Sequence, residues 1–500
     1  MFSFSRTNIF FFSSFIIILN FIWFKWNSFH RRTKKNVPPS PRKLPIIGNL
    51  HQLGSSPHRS LQALSRKHGP LMLMHLGSVP VLVASSSEAA REIMKTHDLS
   101  FASRPKLSIR DTLLYGSKDI AFSPYGEYWR QVRSIAVVQL LNSARVQSFR
   151  QIRENEMALM INMIESSCGS VIDLSEILVM LTNNIICKVA LGRTYSGLKF
   201  KDLLGRFVHL LGVFSFGNYI PKLSWIDRLS GLDDKARKVA KDFDEFLEGV
   251  VEEHIRDKKG VDAKSDEDQD FVDILLDVER DNLTGFALQR DTIKAIILDI
   301  FAAGTDTTFT SLEWAISELI RHPTVMKKLQ EEVTETTHGR PIIHEKDLEN
   351  MKYLKATIKE TLRLHTPVPL LVPRESTQDV KLMGYDIPAG TQVIINASAI
   401  GRDPTLWEEP DEFRPERFLN NIIDYKGLHF ELLPFGAGRR GCPGIQFAMV
   451  INELALANLV YKFNLTLPNG VKDKDLDMNE INGLTVHKKS PLLVMATPRF

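Results

Sequence analysis

The 500-residue sequence predicts a mainly α-helical protein with small peripheral β-sheets, folded as a single large domain behind an N-terminal membrane anchor. Three observations predict it. Helical periodicity dominates from about Glu88 to Arg321. Alternating, β-branched stretches are confined to the flanks of that region. A nearly continuous apolar run stands alone ahead of both.

That run comes first. Ile9 to Phe24, IFFFSSFIIILNFIWF, spans about 24 Å as a helix at ~1.5 Å per residue, slightly short of a thin bilayer. Trp23 and Trp26 suit the interface, and RRTKK, Arg31 to Lys35, suits the cytosolic side. No small-residue cleavage site follows, which favours an anchor over a cleaved signal peptide. Residues 1–30 are assigned to the anchor and 31–45 to a basic, proline-rich hinge. Pro38, Pro39, Pro41 and Pro45 enforce a stiff, extended path from Val37 to Leu50. This is either a plain linker or a rigid arm.

The remaining domain, 46–500, shows no internal repeat and no internal boundary. Gly69 to Ser86 alternates and reads as a small sheet. KKGVDAKSDEDQD, Lys258 to Asp270, reads as a solvated loop. Asp291 to Pro323 reads as one long apolar helix of about 48 Å at ~1.5 Å per residue. Strand signals return at Asp379 to Ala397 and at Gly483 to Thr497.

The chain is 43% apolar and 24% charged, an ordinary globular balance with ample core material. Cys168, Cys187 and Cys442 form no CxxC pair, which argues against a disulfide framework or structural zinc and suits a reducing compartment. The formal charge of +4 arises at the N-terminus: residues 1–43 hold eight Lys or Arg and no acid. Without them, 55 basic residues face 59 acidic ones, a balance of −4. The basic character points to a membrane surface and away from nucleic acid.

Four runs carry chemistry. FGAGRRGCPG, Phe435 to Gly444, is too irregular for a helix or strand interior and reads as a loop that fixes Cys442. Such a cysteine is either a buried structural thiol or a thiolate ligand to haem iron. AAGTDTT, Ala302 to Thr308, places Gly304, Asp306, Thr307 and Thr308 in mid-helix. It is either a capped break between two helices or a local opening where a hydroxyl and a carboxylate manage protons. Glu360 and Arg363 are spaced i, i+3 and share a helix face, as many surface pairs do. Trp129 and Arg133 are spaced i, i+4 on what is otherwise an ordinary amphipathic helix.

Phe435, Gly438, Arg440, Cys442 and Gly444 match F-x-x-G-x-R-x-C-x-G, the haem-binding signature of the cytochrome P-450 superfamily, at every defined position. With the other runs in family order, essentially the whole chain resembles a plant microsomal member of the clan that oxidises specialised metabolites. The resemblance implies a cytochrome P-450 fold and haem b, with Cys442 as the iron ligand and Phe435 over its sulfur. It implies propionate donors at Trp129, Arg133, Arg374 and Arg440, with His365 a further candidate. Thr307 and Asp306 would relay protons for O2 activation, while Ala303 and Gly304 leave room for O2 and substrate. Glu360, Arg363 and Arg417 would form a buried structural network.

Family position further implies pocket walls at Phe301, Ala303, Gly304, Leu370, Leu371, Val372, Leu484 and Val486, with Arg104 to Asp119 and Val208 to Tyr219 as lid and channel. No G-x-G-x-x-G follows a strand, so NADPH would act indirectly, through a membrane-bound NADPH–cytochrome P-450 reductase docking near Arg130 and Arg439. The expected reaction is monooxygenation of a lipophilic small molecule at the endoplasmic reticulum membrane, with the domain facing the cytosol. The C-terminal third resembles psoralen synthase and terpenoid hydroxylases alike, leaving terpenoid and coumarin or phenolic substrates open. Two alternatives stand beside this reading: a haem-thiolate isomerase or dehydratase that needs no O2, and a non-catalytic, membrane-anchored haem-binding protein.

Overall fold

The computed structural model describes residues 36–195, 198–258, 269–281 and 285–500. The expected anchor, the first part of the hinge and most of the Lys258 to Asp270 loop lie outside the described residues. Six helices position the site: α1 (Glu127–Ile135), α2 (Leu174–Leu191), α3 (Leu198–Gly212), α4 (Arg290–Arg321), α5 (Lys352–Leu364) and α6 (Ile445–Lys462). Four strands form the largest sheet: β1 (Leu71–Leu76), β2 (Val79–Ala84), β3 (Arg374–Glu375) and β4 (Gln392–Ile395), in the order β1-β2-β4-β3. Only the β2–β4 pairing within it is parallel. The fold is therefore mainly helical with small sheets, as the sequence predicts.

Helix α4 is the axis of the molecule and packs against α2, α5 and α6. It runs unbroken through Ala302 to Thr308, so the capped break does not occur. Three of its hydroxyls satisfy themselves locally: Thr307, Thr310 and Ser311 donate to the carbonyls of Ala303, Asp306 and Thr307, four residues back. The helix stops at His322 because Pro323 opens the next one, where a missing N–H costs nothing.

Helix α2 is long and apolar enough to cross a membrane, but most of it is buried against α4, and it reads as a core helix. Asp173 caps its start by accepting from the Glu176 N–H, and Gly192 in the left-handed region ends it. A three-residue strand, Val171–Asp173, precedes it inside the stretch read as helical, because so short a strand carries no periodicity. It joins Leu493–Pro498 and Phe463–Thr466 in a second sheet.

The proline-rich segment is stitched to β1. Leu73 N–H donates to Pro39 O at 2.9 Å, and Asn49 N–H donates to His75 O at 2.6 Å. The chain comes so close at Gly48, with φ of 59°, that a Cβ there would lie 2.1 Å from His75 O.

Candidate functional site

The loop before α6 holds Cys442 by backbone alone. Cys442 N–H donates to Phe435 O at 2.9 Å, and Gly441 N–H to Gly438 O at 3.0 Å. Gly438 has φ of 68°, and a Cβ there would sit 2.3 Å from Met94 O, so the loop closes only with glycine. Cys442 lies three residues before the first residue of the 18-residue α6, at the positive end of its dipole. Burial pushes its thiol pKa up, opposed by the Gly444 N–H and the Arg133 charge.

Cys442 is nonetheless accessible, because its surface faces an internal cavity of about 270 Å³. Ala303 is exposed for the same reason, although α4 around it is packed. Gly304 also lines this cavity; a Cβ there would meet Ile186 Cδ1 at 2.7 Å. Leu371 and Val372, from the wall named from the sequence, line it as well, together with Thr307 and Phe435.

The rim is cationic. Arg133, Arg374 and Arg440 reach it, joined by Arg104, a residue that no sequence signal had marked as a donor. Arg133 donates to Gly441 O at 2.7 Å, and Arg374 to Ala437 O at 2.8 Å and Asp98 Oδ1 at 3.3 Å. Arg440 donates to Ala102 O at 2.6 Å and Ser123 O at 2.7 Å, and Arg104 to Val372 O at 2.6 Å. Burial, then the neighbouring Arg374 and Arg133, push the Arg440 pKa down to about 9. Burial also lowers those of Arg104 and Arg374. Asp299 lines the same cavity; burial raises its pKa to about 6 against the N–H groups of Ile120 and Ala121.

Several named residues are placed elsewhere. The Trp129 indole N–H is taken by Ile120 O at 3.0 Å, and its ring lies under the Arg440 guanidinium at 3.9 Å, so it braces a rim arginine from behind. His365 pairs with Glu318 at 2.6 Å and stacks on Trp314, away from the rim. Phe301 turns into the core against Phe200. Leu370 packs with the β1–β2 cluster, and Val486 is buried with its carbonyl accepting from Trp314. Glu360, Arg363 and Arg417 meet in one buried network: Arg363 Nε and Arg417 Nε lie 2.7 and 2.9 Å from the Glu360 carboxylate.

Asp306 and Leu484 line a second cavity, of about 530 Å³, bounded by α2, α3, α4 and the Glu480–Lys488 hairpin. Val208 and Gly212, from the segment read as lid and channel, line it too. His487 stands there against Asp306, a placement that no sequence motif marks.

The cavity over Cys442 therefore combines an oriented sulfur, an apolar wall and a surplus of buried positive charge. The surplus suits a flat apolar group carrying two carboxylates, and the small residues Ala303 and Gly304 leave it room. Haem fits this donor set.

The family model for cytochrome P-450 matches residues 38–495. A 3-beta-hydroxylase of Tanacetum parthenium is 58% identical over 506 residues, covering 100% of both chains. Psoralen synthase of Ammi majus is 50% identical over 491 residues, covering 98% of each. Among solved structures, a zebra fish cytochrome P-450 with progesterone superposes with a TM-score of 0.76 at 27% identity, covering 88% of this chain and 99% of that one.

Proposed function

The chain belongs to the cytochrome P-450 family and is a haem-dependent monooxygenase; from that premise we propose that it oxidises a lipophilic plant specialised metabolite, drawing electrons from NADPH through a membrane-bound reductase. The observation that carries this reading is the Cys442 thiol set in the floor of an apolar cavity with an arginine rim. When bound, the haem supplies the activation of O2. Substrate, O2, two electrons and two protons then yield an oxygenated product and water.

The residues have separable tasks. Cys442 would bind the iron as thiolate, favoured by the Gly444 N–H and the α6 dipole. Arg133, Arg374 and Arg440 would hold the propionates, and Arg104 adds to that field. Thr307, facing the cavity, and Asp306, one residue away, would move protons toward the oxygen. Leu371, Val372 and Phe435 would exclude water and orient an apolar substrate. The pairing of Asp306 with Thr307 weighs against isomerase or dehydratase chemistry, which consumes no protons for O2.

The relatives' names bear on the substrate. They are named a 3-beta-hydroxylase and a psoralen synthase, and terpenoid and coumarin or phenolic scaffolds both stay in view for this chain. A location at the endoplasmic reticulum membrane, with residues 1–30 as anchor and 46–500 facing the cytosol, is supported by one face of the domain. Gly77 and Ser78 bond to Ile47 O and Tyr219 O, drawing the arm and the 216–229 helices together. Ile46, Trp225 and Leu229 are 74%, 54% and 78% exposed in those segments, a cost that a lipid surface removes. Arg130 and Arg439, both exposed, would help dock the reductase.

The test is expression of the full chain in microsomes with a reductase and NADPH, offered terpenes, coumarins and phenolics. A product with one added oxygen from one class supports the reading. An intact carbon monoxide spectrum with no NADPH-dependent product from any class would overturn the substrate assignment.

A further inference from the structure

Helix α4 stands between the two cavities. Thr307 faces the one over Cys442 and Asp306 the other, because successive residues are turned by about 100°. The acid therefore belongs to a different compartment from the hydroxyl beside it in sequence.

His487 is tied to the same stretch of helix at three points. Its Nδ1 lies 2.8 Å from Thr310 Oγ1, and its Nε2 lies 3.4 Å from Asp306 Oδ1. Its ring stacks on Phe309, with centroids 5.2 Å apart and planes 9° from parallel. The Thr310 hydroxyl proton is used on the Asp306 carbonyl, 2.7 Å away, so Thr310 Oγ1 accepts and Nδ1 donates. That fixes the chemistry at Nε2. If it carries a proton, an imidazolium faces a carboxylate. If it is bare, its lone pair can face Oδ1 only when the carboxyl is protonated. Either way the pair keeps one proton between nitrogen and oxygen.

The surroundings suit a proton store. Asp306 Oδ2 is buried and has no hydrogen-bond partner among the described residues, and neither do Thr305 Oγ1 and Asn184 Oδ1 in the same cavity. Three unpaired oxygens therefore stand close together behind the wall of a roomy cavity, where a proton on the pair meets few competing acceptors. The ionisable groups around His487 are Asp306 and Glu313 on α4, Lys488 and Glu480 on its own hairpin, and Glu176 and His209 across the cavity. Burial opposes a charged ring, but the Asp306 carboxylate beside it, with Glu313, outweighs it and raises the His487 pKa above the ordinary value.

We propose that His487 is a positioning and proton-holding residue for Asp306, so that protons consumed over Cys442 enter from the larger cavity and pass the His487–Asp306 pair. This rests on the relay reading of Asp306 and Thr307. Each proton leaves the pair toward the oxygen and is replaced from solvent in the larger cavity; no electron moves in this step.

The experiment uses the full, haem-loaded chain with its reductase, comparing His487→Gln and Asp306→Asn with the unaltered protein. Gln retains an amide donor but cannot hold the proton. The expected result for His487→Gln is an intact carbon monoxide spectrum, a several-fold fall in product per NADPH, a rise in released peroxide, and a flattened pH profile of coupling. Uncoupling by Asp306→Asn with normal coupling and pH profile in His487→Gln would overturn the role of His487 and leave the relay standing. Normal coupling in both would overturn the relay itself, and the proposal with it. A second readout needs no turnover. In carbon-13 histidine spectra of the full chain, one of the rings that titrate above the ordinary range should return toward it in Asp306→Asn, while the raised rings of His254 and His322 stay where they are. Spectra with no histidine shift between those two proteins would overturn the pairing, even if His487→Gln failed to fold.

Discussion

Two buried arginine clusters in this domain are closed in opposite ways. At Glu360 two guanidinium groups share one carboxylate. Its oxygens accept from Arg363 Nε and Nη2, from Arg417 Nε and from the Arg414 N–H, while Arg363 also donates to Gly401 O and Pro410 O. At the cavity rim, Arg104, Arg133, Arg374 and Arg440 rest largely on main-chain carbonyls, with Asp98 beside Arg374. The first cluster is complete within the protein and reads as structure. The second holds positive charge at an energetic cost, visible in the depressed pKa values of its members, and reads as a site awaiting an anion.

The largest break in this comparison comes from the sulfur that the rim surrounds. Cys442→Ser should abolish the red-shifted band of the reduced carbon monoxide complex; a retained band would remove Cys442 as ligand. Next is the Glu360 cluster. Glu360→Gln strands two buried guanidinium groups and should cost about 3–5 kcal/mol in denaturant unfolding. The rim cluster should respond the other way. Arg374→Gln should leave unfolding of the haem-free chain nearly unchanged, because the relief of burying that charge offsets the loss of its Asp98 contact. It should speed haem transfer to an acceptor by roughly 10- to 100-fold, the scale of one charge-assisted hydrogen bond. Equal stability losses in Glu360→Gln and Arg374→Gln would erase the distinction.

The smallest effect concerns Glu453, a buried carboxyl near neither cluster's arginines. Burial raises its pKa to about 7, against the pull of Lys355 and Lys359. A carboxyl raised in the folded state loses stability as pH climbs from its unfolded value through the folded one. Glu453→Gln should therefore match the parent at about pH 4 and gain roughly 1–3 kcal/mol of stability by about pH 8. A gain that does not depend on pH would point to packing instead.

Much of this was legible because the informative residues lie close together in the chain. The Cys442 loop and the long helix declare themselves by glycine placement and by unbroken apolar length. What failed was orientation. Spacing puts Trp129 and Arg133 on one helix face, but it cannot say that the indole lies beneath Arg440 instead of reaching the cavity. Phe301 and Leu370 sit beside wall residues in sequence and point elsewhere, since one step along the helix at Phe301, or along the turn at Leu370, turns the side chain away. His487 had no local signal, and Arg104, named only as the start of a lid segment, had none for its place on the rim. Arg104 bonds to Val372, 268 positions away, and His487 to Thr310, 177 positions away, and only folding brings them together.

The continuity of α4 through Gly304 has a consequence for how this chain can vary. Thr307 and Asp306 occupy separate chambers solely by angular phase. One residue inserted between Asp299 and Gly304 would rotate everything beyond it by about 100° relative to the Cys442 side, with no change in the local alphabet of residues. The acid would then face the sulfur or the core. This segment therefore tolerates exchange of side chains far better than change of length, and insertions and deletions belong in the loops that flank the helix.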